Sequence, residues 1–325
     1  MSSILDDLNR KFVARTPHMR DIGALITAVA LARGSMTMPA RPDWSGDPVR
    51  RLLHPGALTV LADSACGLAV GAALTQHAPY ATLDLRMDYL RAGDLDHDLH
   101  CDAHCFRITR NVAFVRGEVW QLDRDQPVAV AQASFMLGTP AGSRPSAPQS
   151  PEAAAAAAAD VAQQPFAEAA PDPADGRWQA PAGSAPVLAG NPIPYVEYLG
   201  MRQAIDGDPP LFRLPFQDKL IGNPRLPALH GGVIAGFAET AATLHLMGLL
   251  GGSKSVKSID FSIDYLRAGR PLESFASCEV VRMGSRVALV QVRCWQSSPD
   301  YPIAVARGHF LLAPAAVLRP AGSDA

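Results

Sequence analysis

Features that would mark a nucleic-acid partner or an oxidising compartment are scarce in this sequence of 325 residues. The formal net charge is only −2 and no block of Lys or Arg occurs, which argues against nucleic acid as the main partner. The five cysteines are odd in number and lack the spacing of a small disulfide framework, so we expect reduced thiols. Residues 1–15 are polar and contain no apolar signal core. These absences together predict a cytoplasmic protein.

Several common catalytic motifs are also missing. There is no Gly-x-Ser-x-Gly elbow and no phosphate-binding loop, which argues against a serine hydrolase or an NTPase. Residues 100–105 (His-Cys-Asp-Ala-His-Cys) resemble a metal cluster, but on a strand the two cysteines point away from the other ligand types. The second half of the chain has no counterpart of this cluster. We therefore expect neither a metal nor a cofactor.

A sequence repeat organises the chain. In each half a histidine opens an apolar segment of helix length, and a carboxylate follows that histidine by nine residues. Four pairs of landmarks share one spacing of 176 positions: His54/His230, Asp63/Glu239, Asp88/Asp264 and Gly93/Gly269. A constant offset through four landmarks indicates two tandem copies of one domain.

Each copy has the pattern of a strand, a long buried helix and four antiparallel strands. Residues 81–92 alternate with period two, which predicts a half-buried strand with Leu83, Leu85 and Met87 on one face and Thr82 on the other. We predict domains at 1–138 and 192–325, joined by an Ala/Pro-rich and partly disordered linker at 139–191. The two apolar helices approach membrane-spanning length, but each carries a carboxylate, so we expect buried helices and no membrane.

The helix carboxylates Asp63 and Glu239 carry the strongest chemical signal. A carboxylate among apolar residues is costly to bury unless it is paired or catalytic. An isolated acid is usually a solvated position on an amphipathic helix, but here the flanking residues are apolar or small on every side. The glycines after His230 let a ligand approach the backbone, and the free N–H groups of a first helical turn can bind an oxyanion.

The order of these motifs resembles a known family. His-Gly-Gly, then Leu/Phe-Ala-Asp/Glu-Ser/Thr-Ala, then Tyr-Leu-Arg-Ala-Gly is similar to the hotdog-fold acyl-CoA thioesterases of the phenylacetate-pathway type. The resemblance covers residues 15–138 and 192–313. It implies an α+β fold of two tandem hotdog domains, each a long helix wrapped by an antiparallel sheet, paired as an intramolecular pseudo-dimer. It also implies an acyl-CoA substrate and a homo-oligomer, a dimer or trimer of such double hotdogs.

The resemblance further assigns roles to individual residues. The helix acid, Asp63 or Glu239, would be the general base or nucleophile. The N–H after the motif histidine would polarise the thioester carbonyl, and that position is Gly231 in the second repeat and Pro55 in the first. The hydroxyl residues that would assist the acid or the water are Thr82 and Ser258.

In the family the glycine loop of one unit meets the acid of the other, which implies two composite sites. One would join His230, Gly231 and Asn223 with Asp63 and Thr82. Gly232, which follows Gly231 in the chain, would also bind the substrate. The other would join His54, Pro55 and Gly56 with Glu239 and Ser258. Proline has no N–H to donate, so we predict unequal sites with Asp63 in the competent one. Two exposed arginines are candidates for the CoA phosphates, Arg91 and Arg267.

Two other functions remain open from the sequence. A hotdog dehydratase or hydratase also pairs a histidine with an acid and acts on acyl thioesters, although the spacing of its acid differs. A non-catalytic acyl-CoA-binding protein would result if both sites had decayed, and Pro55 favours that interpretation for one of them. Hydrolysis, hydration of a double bond, or binding alone would separate the three functions.

Overall fold

The computed structural model describes residues 4–76, 78–138, 177–181, 192–207, 209–224 and 227–314. Its α-helices are α1 (Ile4–Leu8), α2 (Pro17–Asp21), α3 (Pro55–Ala73), α4 (Pro194–Leu199) and α5 (Gly231–Leu250). A π-helix covers Asn9–Val13, and 3₁₀ turns cover Pro42–Trp44 and Asp218–Leu220.

Seventeen strands accompany these helices within the described residues. The first half contains β1 (Leu25–Ala30), β2 (Arg33–Met38), β3 (Ser45–Asp47), β4 (Leu52–Leu53), β5 (Tyr80–Tyr89), β6 (Leu99–Ile108), β7 (Val112–Trp120) and β8 (Ala129–Leu137). The remainder are β9 (Trp178–Gln179), β10 (Arg202–Ala204), β11 (Leu211–Leu214), β12 (Ile221–Asn223), β13 (Ala228–Leu229), β14 (Lys254–Tyr265), β15 (Ser274–Met283), β16 (Val287–Trp295) and β17 (Ala304–Pro314).

One antiparallel sheet runs through both repeats. Its thirteen strands have the order β1-β2-β6-β7-β8-β5-β14-β17-β16-β15-β11-β10-β9. The two halves join where β5 pairs with β14, and in this register Arg86 lies opposite Ser262. These two residues are themselves 176 positions apart, as are Asp84 with Asp260 and Asp88 with Asp264. A pseudo-twofold axis therefore passes through the centre of the sheet, between the repeats.

The helices α3 and α5 are the two long apolar segments predicted from the sequence, and they pack against each other and against the sheet. Each begins at a histidine N-cap whose side chain accepts a hydrogen bond from the backbone, and α5 ends at Gly251 in the left-handed conformation. Both are long and apolar enough to cross a membrane, but most of each lies buried inside the protein. They are the core helices of the two repeats.

A β-bulge in each repeat corrects the predicted faces of residues 81–92. Thr82 pairs with Phe135 and Asp84 pairs with Ser134, so Leu83 is the extra residue between them. The bulge reverses the alternation, and Thr82 faces the helix on the side of Leu85 and Met87. The assignment of Leu83 to the core face and Thr82 to the opposite face was therefore wrong. The second repeat has the same irregularity between Ser258 and Asp260.

Part of the predicted linker is a strand. Residues 177–181 contain β9, which pairs with β10 at the edge of the sheet. Trp178 of β9 lies beside Phe275 with ring centroids 6.0 Å apart and under the guanidinium of Arg213. The rest of the predicted linker, 139–176 and 182–191, lies outside the described residues, and the domain boundaries stay a prediction.

Candidate active site

Residues of both repeats meet where α3 passes the start of α5. We call this place the first pole and define it by Asp63, Thr82, His230, Gly231 and Gly232. The Asp63 carboxylate is 6% exposed and accepts two hydrogen bonds. Thr82 Oγ1 donates to Oδ1 at 2.9 Å, and the Gly232 N–H donates to Oδ2 at 2.9 Å. A carboxylate from one repeat is therefore held at the positive end of the other repeat's helix.

The motif histidine supports this arrangement. His230 Nδ1 accepts a hydrogen bond from the Gly232 N–H at 3.0 Å and lies 3.5 Å from Asp63 Oδ2. Burial lowers the pKa of His230, against the opposing effect of Asp63. The ring is therefore neutral with its proton on Nε2, which lies 3.1 Å from Ser64 Oγ. Because Ser64 in turn donates to the Val60 carbonyl at 2.7 Å, the ring is fixed as a backbone acceptor.

Gly231 lies between the acid and the partly buried Tyr265. A Cβ added to Gly231 would come within 2.9 Å of Asp63 Oδ2 and 3.4 Å of the Tyr265 hydroxyl oxygen. Tyr265 donates to the Gly231 carbonyl at 2.7 Å, which fixes the first residue of α5. Among the described residues, no hydrogen-bond acceptor is found for the Gly231 N–H. This first-turn N–H is the donor available to a ligand oxygen beside Asp63.

The pseudo-twofold counterpart, which we call the second pole, is built differently. We define it by Glu239, Ser258, His54, Pro55 and Gly56. Glu239 is fully buried and accepts a hydrogen bond from the Tyr89 hydroxyl at 2.7 Å. Burial raises the pKa of Glu239 to about 7, against the opposing effects of the Ser258 and Tyr89 hydroxyls.

The helix start at the second pole does not hold its acid. The Gly56 N–H donates to His54 Nδ1 at 3.0 Å, and Pro55 has no N–H. Burial lowers the pKa of His54 to about 3, so this ring is also neutral. The Tyr195 ring stacks on His54 with centroids 4.4 Å apart and covers Gly56. Only the first pole therefore joins a carboxylate to a helix N-terminus with a free first-turn N–H.

Three other predicted residues lie away from these clusters. Asn223 ends β12, where it pairs with Ala228, and its side chain is exposed, outside the buried group around Asp63. Arg91 donates to the Gln126 carbonyl, and Arg267 donates to the Pro302 carbonyl at 2.7 Å. Both arginines are exposed at equivalent strand ends and each contacts a loop of its own repeat.

The His-Cys-Asp-Ala-His-Cys stretch is part of β6. Asp102 accepts hydrogen bonds from Ser35 and from Trp120 Nε1, and it pairs with Arg124 at 3.0 Å. The His100 ring stacks on Trp120 with centroids 4.3 Å apart. Across the described residues, no group of three or more His, Cys, Asp or Glu side chains could hold a metal ion.

Sequence reasoning missed several residues that complete the poles. Ser64 and Tyr265 have counterparts at 176 positions, Thr240 and Tyr89, and all four lie within the quoted motifs, so their recurrence was a usable signal. Tyr195 gave no such signal. Its counterpart in the first repeat is a different residue type, and the spacing between equivalent residues is no longer 176 positions in that part of the chain.

Comparisons with known proteins show what the two repeats are similar to. The family model described as thioesterase superfamily matches residues 51–128 and again 226–303. The medium/long-chain acyl-CoA thioesterase YigI of Salmonella typhimurium is 29% identical over 140 residues, covering 39% of this chain and 89% of the relative.

Two solved structures share the architecture over most of the chain. The acyl-CoA thioesterase II TesB2 of Mycobacterium marinum is 13% identical with a TM-score of 0.52, covering 88% of this chain and 94% of that one. A conserved protein with a hot dog fold from Alicyclobacillus acidocaldarius is 12% identical with a TM-score of 0.58, covering 88% of this chain and 95% of that one. At these identities the likeness concerns the fold alone, and the predicted double hotdog fold is confirmed.

Proposed function

Because each half of the chain is a domain of the thioesterase superfamily, we propose that the protein hydrolyses an acyl-CoA thioester to the free acid and CoA at the first pole. The protein is then a thioester hydrolase in which a side chain supplies the base and the backbone supplies the oxyanion donor. The name of the Salmonella relative makes medium and long acyl chains the first substrates to test.

One observation carries this proposal. The Asp63 carboxylate of α3 lies 2.9 Å from the Gly232 N–H at the start of α5, beside the Gly231 N–H. Thioester hydrolysis needs a base or nucleophile on one side of the carbonyl and a donor for the developing oxyanion on the other. The first pole offers both within one turn of helix.

The proposed reaction follows from these positions. The thioester carbonyl oxygen accepts a hydrogen bond from the Gly231 N–H, and the positive end of α5 stabilises the negative charge that develops on it. Asp63 takes a proton from water, whose oxygen bonds to the acyl carbon. The C–S bond then breaks, and the CoA thiolate leaves and is protonated. Thr82 and His230 are positioning groups, since one binds Asp63 and the other fixes the backbone at the helix start.

The two poles are unequal in this proposal. The second pole has no N–H at Pro55, and removing one oxyanion donor typically costs about 10²–10³ in rate. The acid of this pole, Glu239, already accepts a hydrogen bond from the Tyr89 hydroxyl. Burial also raises the pKa of Glu239 to about 7, so a large share of it is protonated at neutral pH. Turnover is therefore assigned to Asp63.

Four finer points stay predictions. Membership of the phenylacetate-pathway type rests on the sequence resemblance. The cytoplasmic location rests on the sequence composition, and the homo-oligomer, a dimer or trimer of double hotdogs, rests on the resemblance. Arg91 and Arg267 are retained as candidate contacts for the CoA phosphates because both are exposed.

The dehydratase alternative has one observation in its favour. His230 Nδ1 lies 3.5 Å from Asp63 Oδ2, which is a histidine–acid pair across two repeats. However, Nδ1 already accepts the Gly232 N–H, and burial lowers the pKa of the ring, so His230 is a poor proton donor. Hydrolysis is the better match to this geometry.

The test is a thiol-release assay with short, medium, long and aromatic acyl-CoAs, run beside an enoyl-CoA hydration assay. Stoichiometric release of free CoA thiol with no change in enoyl absorbance supports a thioesterase. Loss of enoyl absorbance without thiol release would establish a hydratase instead. Binding of acyl-CoA with neither reaction would reduce the protein to a non-catalytic binder.

A further inference from the structure

One face of α3 leads from the Asp63 carboxylate toward the C-terminus of the helix. Asp63, Gly67 and Gly71 are spaced by four residues and therefore lie on this face. In the opposite direction the next position on the face is Thr59, which is 1% exposed and whose hydroxyl lies 2.9 Å from the Tyr89 hydroxyl. The two glycines carry no side chain. An acyl chain bound at Asp63 can therefore follow this face without meeting a side chain of α3 in one direction, toward the glycines.

An aromatic ring of β5 covers these glycines. The strand bonds to the acid through Thr82, and Tyr80, two residues earlier, is on the same side of the strand. A Cβ added to Gly67 would lie 3.7 Å from Tyr80 Cε2 and 3.9 Å from Phe135 Cε1. A Cβ added to Gly71 would lie 2.9 Å from the Tyr80 hydroxyl oxygen. The Tyr80 ring therefore occupies the space that the glycines leave between the helix and the sheet.

The second repeat fills the equivalent space from its helix. At the positions of the two glycines, 176 residues later, it has Thr243 and Met247, and at the position of Tyr80 it has Val256. Both helix residues are partly buried. Tyr80, in contrast, is the first residue of β5 and is 38% exposed, so its ring borders solvent. A partly exposed ring at a strand end can turn outward and vacate its space, whereas a side chain packed between a helix and a sheet cannot.

We propose that the acyl chain of the substrate lies along this face of α3 and that Tyr80 limits its length. The inference rests on the proposed thioesterase function. The ring meets the helix at Gly67, about 6 Å along the helix axis from Asp63, and again at Gly71, about 12 Å from Asp63. A short acyl group ends before the ring. A longer chain has to displace the ring from both glycines, so kcat/KM decreases once the chain passes the first turn.

The experiment is the thiol-release assay, read as the ratio of kcat/KM for a long-chain acyl-CoA to kcat/KM for a short-chain one. Both values are measured on one preparation, so the folded fraction of the enzyme cancels. Tyr80→Val installs the residue type of the second repeat and removes the ring. The ratio should then rise about tenfold or more, because one methylene in a hydrophobic pocket is worth about 10–200-fold. Adding Gly71→Met, the helix residue type of the second repeat, should return the ratio to the wild-type value or below.

Met247→Ala is the matched control, since it opens the equivalent space on the helix of the second repeat and should leave the ratio unchanged. An unchanged ratio in Tyr80→Val, with thiol release retained, would overturn the role of Tyr80. An equal rise of the ratio in Met247→Ala would also overturn it. Failure of the proposed function has a different signature, namely no thiol release from any acyl-CoA by wild type.

Discussion

Replacing Asp63 with asparagine tests both the chemistry and the assignment of the poles. Asparagine has nearly the same shape, and its amide can still serve both partners of the carboxylate. Its oxygen can accept from the Gly232 N–H and its NH₂ can donate to Thr82 Oγ1, each pair being 2.9 Å apart in wild type. What asparagine cannot do is accept a proton from water.

The size of the effect follows from that difference. General acid–base catalysis contributes about 10²–10⁴ in rate, so we expect kcat to fall by roughly that factor. KM should change by less than about threefold, because neither the Gly231 N–H nor the helix N-terminus is altered. The charge at the helix start contributes up to about 2 kcal/mol to stability, and its loss is offset in part because a buried charge no longer needs to be desolvated. We therefore expect a decrease of about 1 kcal/mol in the free energy of unfolding.

The assay is thiol release under saturating acyl-CoA, with urea unfolding to compare stability. Glu239→Gln is the matched control, since it makes the same change at the pseudo-equivalent acid, and it should retain wild-type kcat. An Asp63→Asn variant that keeps more than a tenth of wild-type kcat would refute the role of Asp63 as the base. Loss of turnover in Glu239→Gln instead would move the active site to the second pole.

Three further predictions follow from the geometry of the poles. Burial raises the pKa of Glu239 from 4.5 to about 7. Between these pH values the folded protein keeps the proton on Glu239, whereas the unfolded chain releases it. The free energy of unfolding therefore decreases progressively from about pH 4.5 to pH 7. Glu239→Gln should therefore match wild type at pH 4 and exceed it by about 3 kcal/mol in urea unfolding at pH 8, and equal differences at both values would contradict this. Gly231→Ala places a methyl group 2.9 Å from the Asp63 carboxylate and should lower kcat/KM by about 10²-fold or more. Gly248→Ala is the control, because a Cβ there meets no atom within 4 Å. It should leave turnover unchanged and stabilise the protein by up to about 1 kcal/mol. Tyr265→Phe loses the hydrogen bond that fixes the first residue of α5 and should lower kcat about tenfold with little change in KM. Tyr89→Phe at the second pole should not affect kcat. An equal loss of kcat in the two variants would show that Tyr265 has a purely structural role.

Local sequence patterns were sufficient for the elements that depend on neighbouring residues. The apolar run opened by His230 predicted a buried helix, and the helix begins at Gly231 and ends at Leu250. The alternating run predicted a strand at 81–92, and β5 covers Tyr80–Tyr89. Residue spacing sets both periodicities, so they can be read without knowledge of the fold.

The direction of individual side chains depended on pairing that the sequence does not show. Thr82 was placed on the face opposite Leu85 because strict alternation requires it, yet its hydroxyl donates to Asp63. The bulge at Leu83 is set by the register between β5 and β8, whose paired residues lie about fifty positions apart. A one-residue change of register transfers a side chain to the other face, and only the assembled sheet determines that register.

The sequence by itself determined that this chain carries one domain twice, with an acid nine residues after a histidine in each copy. That information is local and repeated, so it needs no tertiary contact to be recognised. Only the tertiary structure decided that the acid of one copy meets the helix start of the other, and that Tyr195 packs over the helix start at the second pole. Those outcomes depend on contacts between residues up to 169 positions apart, which have no periodic signature in the chain.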